Sequence, residues 1–347
     1  MKTILVTGGL GFIGSHTCIE LIEREYNVYV VDSLINSHVD TIDRIKNIIK
    51  IKDPEKLSRI SYFKGDVCDD LFLNSVFKKA EENSQKIDGV IHLAGLKSVR
   101  ESFKKPLEYW QTNVGGTTNL IKVMQNNNCL NLIFSSSASI YSEKNKSPII
   151  ETDKINPKST YGKTKACVEE ILNDLFKSNN NWKIISLRYF NPIGAHPTGL
   201  IGEMPIDTPN NIFPLINQVA ANKIQNLEIF GDDWNSKDGT PVRDYIHIMD
   251  LVDGHIMAYE HMVQNSSQIL NINLGTGKGT TVLELINTFN EVNTLKVPYI
   301  FGKRRKGDLE EYYADNSLAK KLLDWKPKRN LSDMCKDGWR WQVNCQA

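Results

Sequence analysis

The sequence predicts an α/β fold: a Rossmann doubly wound parallel sheet followed by a smaller C-terminal substrate-binding domain. Three observations predict it. Short β-branched apolar runs alternate with longer helical stretches through the first half. A glycine triplet stands between the first run and the first helix. After about residue 191 the alternation gives way to loops rich in Pro, Gly and Asn, "NPIGAHPTGLIGEMPIDTPNN". Such alternation is the mark of a parallel sheet with helices on both faces, and long irregular loops are where binding groups concentrate.

In order, "TILVTG", "NVYVVD", "SYFKGD", "GVIHLAG", "NLIFSSS" and "WKIISLRYF" read as strands. Between them "SHTCIELIERE", "NSVFKKAEEN", "TTNLIKVMQNNN" and "KTKACVEEILNDLF" read as helices, each long enough for a right-handed crossover. Residues 41–60 read as a surface helix and loop. The expected division is a cofactor-binding domain over 1–190 and a substrate-binding domain over 191–347. "YIHIMDLVDGHIMAYEHM" within 243–280 is expected to bring part of the second stretch back onto the first domain.

Bulk composition excludes several classes. Forty-two Lys and Arg against 41 Asp and Glu give a net charge of +1, so no global field favours nucleic acid or an anionic membrane. No stretch approaches the ~20 apolar residues of a membrane span, and the apolar run in "MKTILVTGG" is too short for a signal peptide. A cytoplasmic protein is expected. Six scattered cysteines with no Cys-x-x-Cys suit reduced thiols, and no metal site is expected.

"VTGGLGFIGSH" follows the first strand and opens a helix, with Gly8, Gly11 and Gly14 at three-residue spacing. Gly8 permits the tight turn, Gly11 lets backbone approach a pyrophosphate, and Gly14 lets helix and strand pack closely; Phe12 and Ile13, between the last two glycines, are expected cofactor contacts with them. Asp32 ends the second strand 32 − 14 = 18 residues past the last glycine, where a carboxylate takes the adenosine ribose hydroxyls. A carboxylate repels a 2′-phosphate and "DSLINS" offers no arginine, so NAD is expected rather than NADP. The bland alternative is a glycine-rich turn that binds nothing.

Ligands in open α/β sheets bind beyond the carboxyl ends of the strands. The fifth strand ends in Ser135, Ser136 and Ser137, and "STYGKTKACVEEIL" places Tyr161 and Lys165 one turn apart on the next helix. Chance supplies roughly one Tyr-x-x-x-Lys in such a chain. The second here, Tyr299 to Lys303, contains Gly302 and lacks a helical context. A free phenol is only ~0.1% ionised at pH 7, and half-ionisation requires ~4 kcal/mol. A cation ~6 Å away at an effective dielectric of ~20 supplies ~2.8 kcal/mol, so Lys165 is expected to pull the Tyr161 pKa down most of the way, with an oxidised nicotinamide completing the shift. An exposed Tyr and Lys on a helix is the reading without chemistry.

The set "TGGLGFIGSH", "VIHLAGLKSV", "SSSASIY", "YGKTK", "LRYFNPIGAHP", "PNN", "DGTPVRDYIHIMDLVDGH" and "RRKGDLEEYYAD" resembles the UDP-galactose 4-epimerases of the extended short-chain dehydrogenase/reductase superfamily, nearly end to end. The resemblance implies reversible C4 epimerisation of UDP-galactose and UDP-glucose through a transient 4-keto sugar, with hydride passing to and from bound NAD, in a homodimer. It implies Tyr161 as base, Lys165 on the nicotinamide ribose and Ser137 on the sugar O4. It makes Asn36, Ser37, Asp66, Val67, Leu93, Lys97, Asn113 and Tyr189 further cofactor contacts. Asn191, Asn211, Phe230, Arg243, Arg305, Asp308 and Tyr312 become nucleotide-sugar contacts, Tyr312 narrowing the sugar pocket against an N-acetyl group. From the residues alone, Asp66 and Asn113 could equally be turn and cap residues.

One departure from the family is Tyr141-Ser142 where Tyr-Gly is usual; a local loop change without loss of chemistry is expected. A dehydratase would want an Asp-Glu pair where this chain has Ala138-Ser139, a decarboxylase a Glu in that loop, and an NAD-sensing protein would not need Ser137, Tyr161 and Lys165 together. A nucleic-acid patch at Lys303 to Lys306 is the rival reading of the basic run, without interleaved aromatics to support it.

Overall fold

The computed structural model describes every residue except 207, 208, 210, 306, 346 and 347, so Asn210 of "PNN" and Lys306 of the basic run lie outside the described residues. The chain divides into two compact units. The first comprises Met1–Ser142, Ile155–Arg188 and Val252–Ile272; the second comprises Glu143–Lys154, Tyr189–Leu251 and Asn273–Ala347.

The first unit is built on the six expected strands: β1 (Thr3–Thr7), β2 (Asn27–Asp32), β3 (Ile60–Lys64), β4 (Ile87–His92), β5 (Asn131–Ser137) and β6 (Lys183–Tyr189). A seventh strand, Gln268–Leu274, joins at the edge, and the order across the sheet is Gln268–Leu274, β6, β5, β4, β1, β2, β3. β1 pairs in parallel with both β2 and β4. The winding therefore reverses between β1 and β4, and a crevice opens beyond their carboxyl ends, where Thr7 meets Gly8 and His92 meets Leu93. Leu5, Val90, Leu132 and Ile184 from the sheet pack with Val76, Leu120, Val168 and Leu172 from the helices, all buried. Burying each such side chain contributes roughly 1.5–3 kcal/mol, which is why the β-branched runs become interior strands.

The expected helices form over Phe12–Glu23 (α1), Asp70–Glu82, Gly116–Asn126 and Thr160–Ser178. Residues 41–60 form the helix Thr41–Lys52 and the 3₁₀ turn Pro54–Arg59. The segment Trp110–Gly115 is a π-helical stretch that sequence periodicity did not reveal.

In the second unit, helices Ile212–Ala220, Val282–Asn293 and Leu331–Asn344 enclose a core that includes Phe213, Ile229, Tyr245, Leu285, Phe289 and Met334. Small sheets frame it: Leu227–Phe230 pairs in parallel with Tyr299–Gly302, and Val242–Arg243 lies between Thr280–Thr281 and Glu311–Tyr312. Buried Asp244 accepts from Thr276 N at 2.7 Å, Thr276 Oγ1 at 2.6 Å, Gly277 N at 3.2 Å and Ala314 N at 3.1 Å, so the acid of "VRDY" ties these loops together. Among the described residues, no helix is long and apolar enough to cross a membrane. All six cysteines are free thiols.

Candidate active site

The glycine turn is a backbone cradle. Gly8 has φ +70°, and a Cβ there would stand 2.6 Å from Ala94 N; a Cβ on Gly14 would stand 2.2 Å from Gly8 O. A side chain at Gly8 would collide with the backbone after β4, and one at Gly14 would lift α1 off the turn. Gly11 caps α1 with extended backbone and no side chain, and the first turn, Phe12 to Ser15, brings no carboxylate to oppose an anion at the helix N-terminus.

Asp32 is buried at the end of β2. It accepts from Leu10 N at 2.9 Å, Leu34 N at 2.9 Å and Ser37 Oγ at 2.6 Å. A carboxylate has about four acceptor sites, so one remains for a ribose hydroxyl. Ser37 therefore acts through Asp32, while Asn36 and Lys97 are exposed and Leu93, beside the crevice, donates its N–H to Thr7 O at 3.0 Å. Val67 is buried. The glycine turn and Asp32 make up a cradle that fits a dinucleotide.

Two expected contacts have evident structural work. Asp66 accepts from Cys68 N at 2.8 Å, a local turn. Asn113 accepts from Leu96 N at 2.8 Å and donates to Leu96 O at 3.0 Å and Thr164 Oγ1 at 3.1 Å, fastening the loop after β4 to the Tyr161 helix. Tyr189, the last residue of β6, is buried.

The Tyr161 helix starts at Ser159, whose hydroxyl accepts from Gly162 N at 3.0 Å. Its first turns bring Tyr161 and Lys165 against the end of β5. Lys165 Nζ donates to Ser135 O at 2.7 Å and lies 4.9 Å from the centre of the Phe134 ring and 5.9 Å from that of Tyr161. Gly95, next to the Gly8 cradle, would place a Cβ 3.9 Å from the same ammonium, so cradle and lysine adjoin. Ser137 Oγ accepts from Ser139 N at 3.1 Å, which leaves its proton to donate, and it hydrogen-bonds Tyr161.

The electrostatics correct one expectation. The Lys165–Tyr161 distance is close to the one assumed, yet burial pushes the Tyr161 phenol above its usual pKa, and the hydrogen bond that opposes this comes from Ser137. Lys165 is itself buried, and desolvation lowers its pKa to about 8. His92, at the end of β4, is held neutral with its pKa lowered to about 3 by burial and by Lys165, its ring bridging Thr7 Oγ1 at 2.7 Å and Thr117 Oγ1 at 2.8 Å.

The second unit carries a pocket of about 750 Å³, open mouth included, lined by Asn191, Asn211, Phe230, Arg243, Arg305 and Asp308 among others. Six of the expected nucleotide-sugar contacts thus share one cavity. Leu215, Leu227, Pro241 and Val282 also line it, an apolar floor that motif matching did not find. Arg243 pairs with Asp308 and donates to Val242 O at 2.7 Å and Leu309 O at 2.8 Å. The Arg305 guanidinium lies 3.6 Å from the centre of the Phe230 ring, and Arg304 lies 4.1 Å from that of Trp234. Both arginines of the basic run are therefore stacked on aromatics. Tyr312 is absent from the lining residues; its ring packs on Phe190 at 5.5 Å.

At Tyr141-Ser142 the departure from the family is local. Ser142 has negative φ, so the backbone there does not demand glycine.

Fold and site together define an enzyme of the extended short-chain dehydrogenase/reductase class. The family model described as GDP-mannose 4,6 dehydratase matches residues 5–338. The UDP-glucose 4-epimerase of Bacillus subtilis is 45% identical over 339 residues, covering 98% of this chain and 96% of that protein. The crystal structure of a Stenotrophomonas maltophila UDP-glucose 4-epimerase with bound NAD and formylated UDP-arabinopyranose superposes with a TM-score of 0.93 at 40% identity, covering 100% of this chain and 99% of that one. The Bifidobacterium longum UDP-glucose 4-epimerase, in complex with NAD⁺ and UDP, gives a TM-score of 0.90 at 39% identity, covering 99% and 98%. The chain belongs to this family and, by these relatives, to the UDP-glucose 4-epimerases.

Proposed function

We propose that the chain interconverts UDP-galactose and UDP-glucose by reversible epimerisation at C4, with NAD as cofactor. The observation that carries this is the convergence of Ser137, Tyr161 and Lys165 beside the glycine cradle at the sheet's switch point. Gly8, Gly11, Gly14 and Asp32 would hold the dinucleotide. Bound NAD supplies the acceptor and donor for the C4 hydride.

The chain's own groups handle the proton. Ser137 donates to the phenol oxygen or to the sugar O4, and Tyr161 takes the O4 proton as the sugar becomes a 4-keto species. Burial raises the Tyr161 pKa, so the phenol resists ionisation until positive charge from the cofactor and Lys165 act together on it. Lys165, tied to Ser135 O, would hold the nicotinamide ribose when the cofactor is bound. Arg243 and Arg305 supply paired cations for a diphosphate, and the apolar floor of their pocket suits a uracil ring. The first unit is thus the NAD-binding domain and the second the substrate-binding domain.

Incubating the purified protein with UDP-galactose, first without and then with added NAD⁺, should yield UDP-glucose; no product in either case would refute the reading. The matched family model's description favours a dehydratase as the second reading. Elimination calls for an acid and a base near C5 and C6, and the position after β5 offers only buried Ala138 and half-buried Ser139. A product lighter than the substrate by one water would establish that reading instead.

A preference for UDP-glucose and UDP-galactose over N-acetylated UDP-sugars rests on the family resemblance at Tyr312, a bulky side chain whose ring packs on Phe190. Comparable turnover of UDP-N-acetylglucosamine would overturn it. The working state is a homodimer. Val99, Phe103, Leu107 and Trp110 expose 43, 61, 81 and 37% of their surface at near-helical spacing, an apolar stripe that suits a second copy. Phe103→Glu with Leu107→Glu should give a monomer by sedimentation, and an unchanged dimer would exclude that stripe. The compartment is the cytoplasm, a reading the six free thiols support.

A further inference from the structure

Behind the reacting groups lies a buried polar cluster that the mechanism does not use. Ser136 Oγ donates to Glu169 Oε1 at 2.5 Å. Arg188, on β6, grips the same carboxylate through Nε at 3.1 Å and its terminal nitrogen at 2.7 Å, and donates to Tyr141 Oη at 2.8 Å. Arg188 and Glu169 are only 2% and 4% exposed.

We propose that Glu169, neutralised by Arg188, is a positioning residue that clamps the Tyr161 helix to the end of β5 and so fixes Ser137 against Tyr161. This rests on the epimerase reading above. Tyr161, Lys165 and Glu169 follow at i, i+4 and i+8, on one face of the helix. Lys165 holds Ser135 O and Glu169 holds Ser136 Oγ, so successive turns of the helix grip successive residues of the strand. The next residue along the strand is Ser137. A rigid two-point attachment sets the strand-to-helix register where the reacting hydroxyl and phenol meet.

Stability does not account for the cluster. Two apolar residues of the same volume would fill the space at least as well, because a buried ion pair rarely gains more than its desolvation costs. What an apolar pair lacks is direction: a carboxylate shared between a guanidinium fork and one hydroxyl has a single geometry. Displacing a reacting group by about 1 Å can cost 10²-fold in rate. The pair also keeps the local charge balanced around Tyr161 and Lys165. β5 contributes only hydroxyls and Phe134 there, His92 on β4 is neutral, and Arg188 on β6 is cancelled by Glu169.

The test measures UDP-galactose turnover by the full-length wild type, Ser136→Ala, Glu169→Gln and the double variant, with thermal stability alongside. Ser136→Ala keeps the Glu169–Arg188 pair and removes only the link to the strand. The proposal expects kcat to fall roughly ten- to hundredfold with KM within about threefold, since positioning acts on the reacting atoms. Glu169→Gln leaves Arg188 uncompensated, which favours the phenolate, so the acid limb of the kcat/KM profile should move to lower pH. The double variant should be about as slow as the slower single, because both break one clamp. Ser136→Ala with kcat within twofold of wild type, or additive losses in the double variant, would overturn the proposal while leaving the epimerase reading standing. An inactive wild type would overturn both.

Discussion

Replacing Lys165 with Met separates what the lysine does for chemistry from what it does to the fold. The ammonium is buried, and its pKa falls from the usual 10.5 to about 8 through desolvation. Below pH 8 it is charged in both folded and unfolded chains, so the folded state carries the full penalty of about 3 kcal/mol. Between pH 8 and 10.5 the unfolded chain binds the extra proton, so stability rises with pH and the penalty falls below about 1 kcal/mol by pH 10. Lys165→Met removes the penalty but orphans Ser135 O, a loss of about 1 kcal/mol. The variant, stripped of bound nucleotide, should therefore be more stable than wild type by about 2 kcal/mol at pH 7, roughly 3 °C in Tm. At pH 10 the difference should be close to zero, while turnover falls by about 10² or more. Thermal melts of both proteins at pH 7, 8, 9 and 10 measure this. A stability difference that stays constant across that range would refute the desolvation argument, since no other change introduced by the substitution titrates there.

Gly14→Ala puts a methyl group 2.2 Å from Gly8 O, so either the turn or α1 must shift; a loss of about 1–3 kcal/mol in a denaturation series and at least tenfold weaker NAD binding are expected, despite alanine's better helix propensity. Asp32→Ala orphans Leu10 N, Leu34 N and Ser37 Oγ together, and should lower Tm and weaken NAD binding by about a hundredfold in a calorimetric titration. Arg305→Ala should raise the KM for UDP-galactose about ten- to hundredfold with a smaller change in kcat, the mark of lost ground-state binding. The same variant should bind UDP alone more weakly by a similar factor.

Much of the first unit was legible because its determinants are local. Each β-branched run became a strand, and Gly8 and Gly14 took the turn and the close approach that their spacing implied. The seventh strand, Gln268–Leu274, was missed because "QILNINL" alternates apolar and polar residues like a solvent-edged strand, and nothing local ties it to β6. The placement of residues 143–154 in the second unit was likewise invisible: Ile149 exchanges backbone hydrogen bonds with Tyr313 and Asp315, more than 160 residues away. Motif matching gathered six residues of the second unit's pocket but missed its apolar floor, since Leu, Pro and Val carry no chemical signature.

The errors at the reacting groups have a common cause. Residue spacing placed Tyr161 and Lys165 together correctly, but the sign of the Tyr161 shift depends on how far each group is removed from water, and spacing contains no measure of that. Glu169 shows the same limit from the other side. It stands at i+8 from Tyr161, so helical periodicity alone puts a carboxylate on the reacting face. Read without a partner, that carboxylate would be a buried anion competing for Lys165 and opposing ionisation of the phenol. Arg188, nineteen residues further on and on another strand, reverses the conclusion: burial by itself would lower the guanidinium's pKa, but Glu169 raises it above its ordinary value, and the two charges cancel. A charge on a catalytic helix therefore cannot be assigned an electrostatic role until its tertiary partner is known, and here the partner turns an apparent obstacle to the chemistry into the clamp that aligns it.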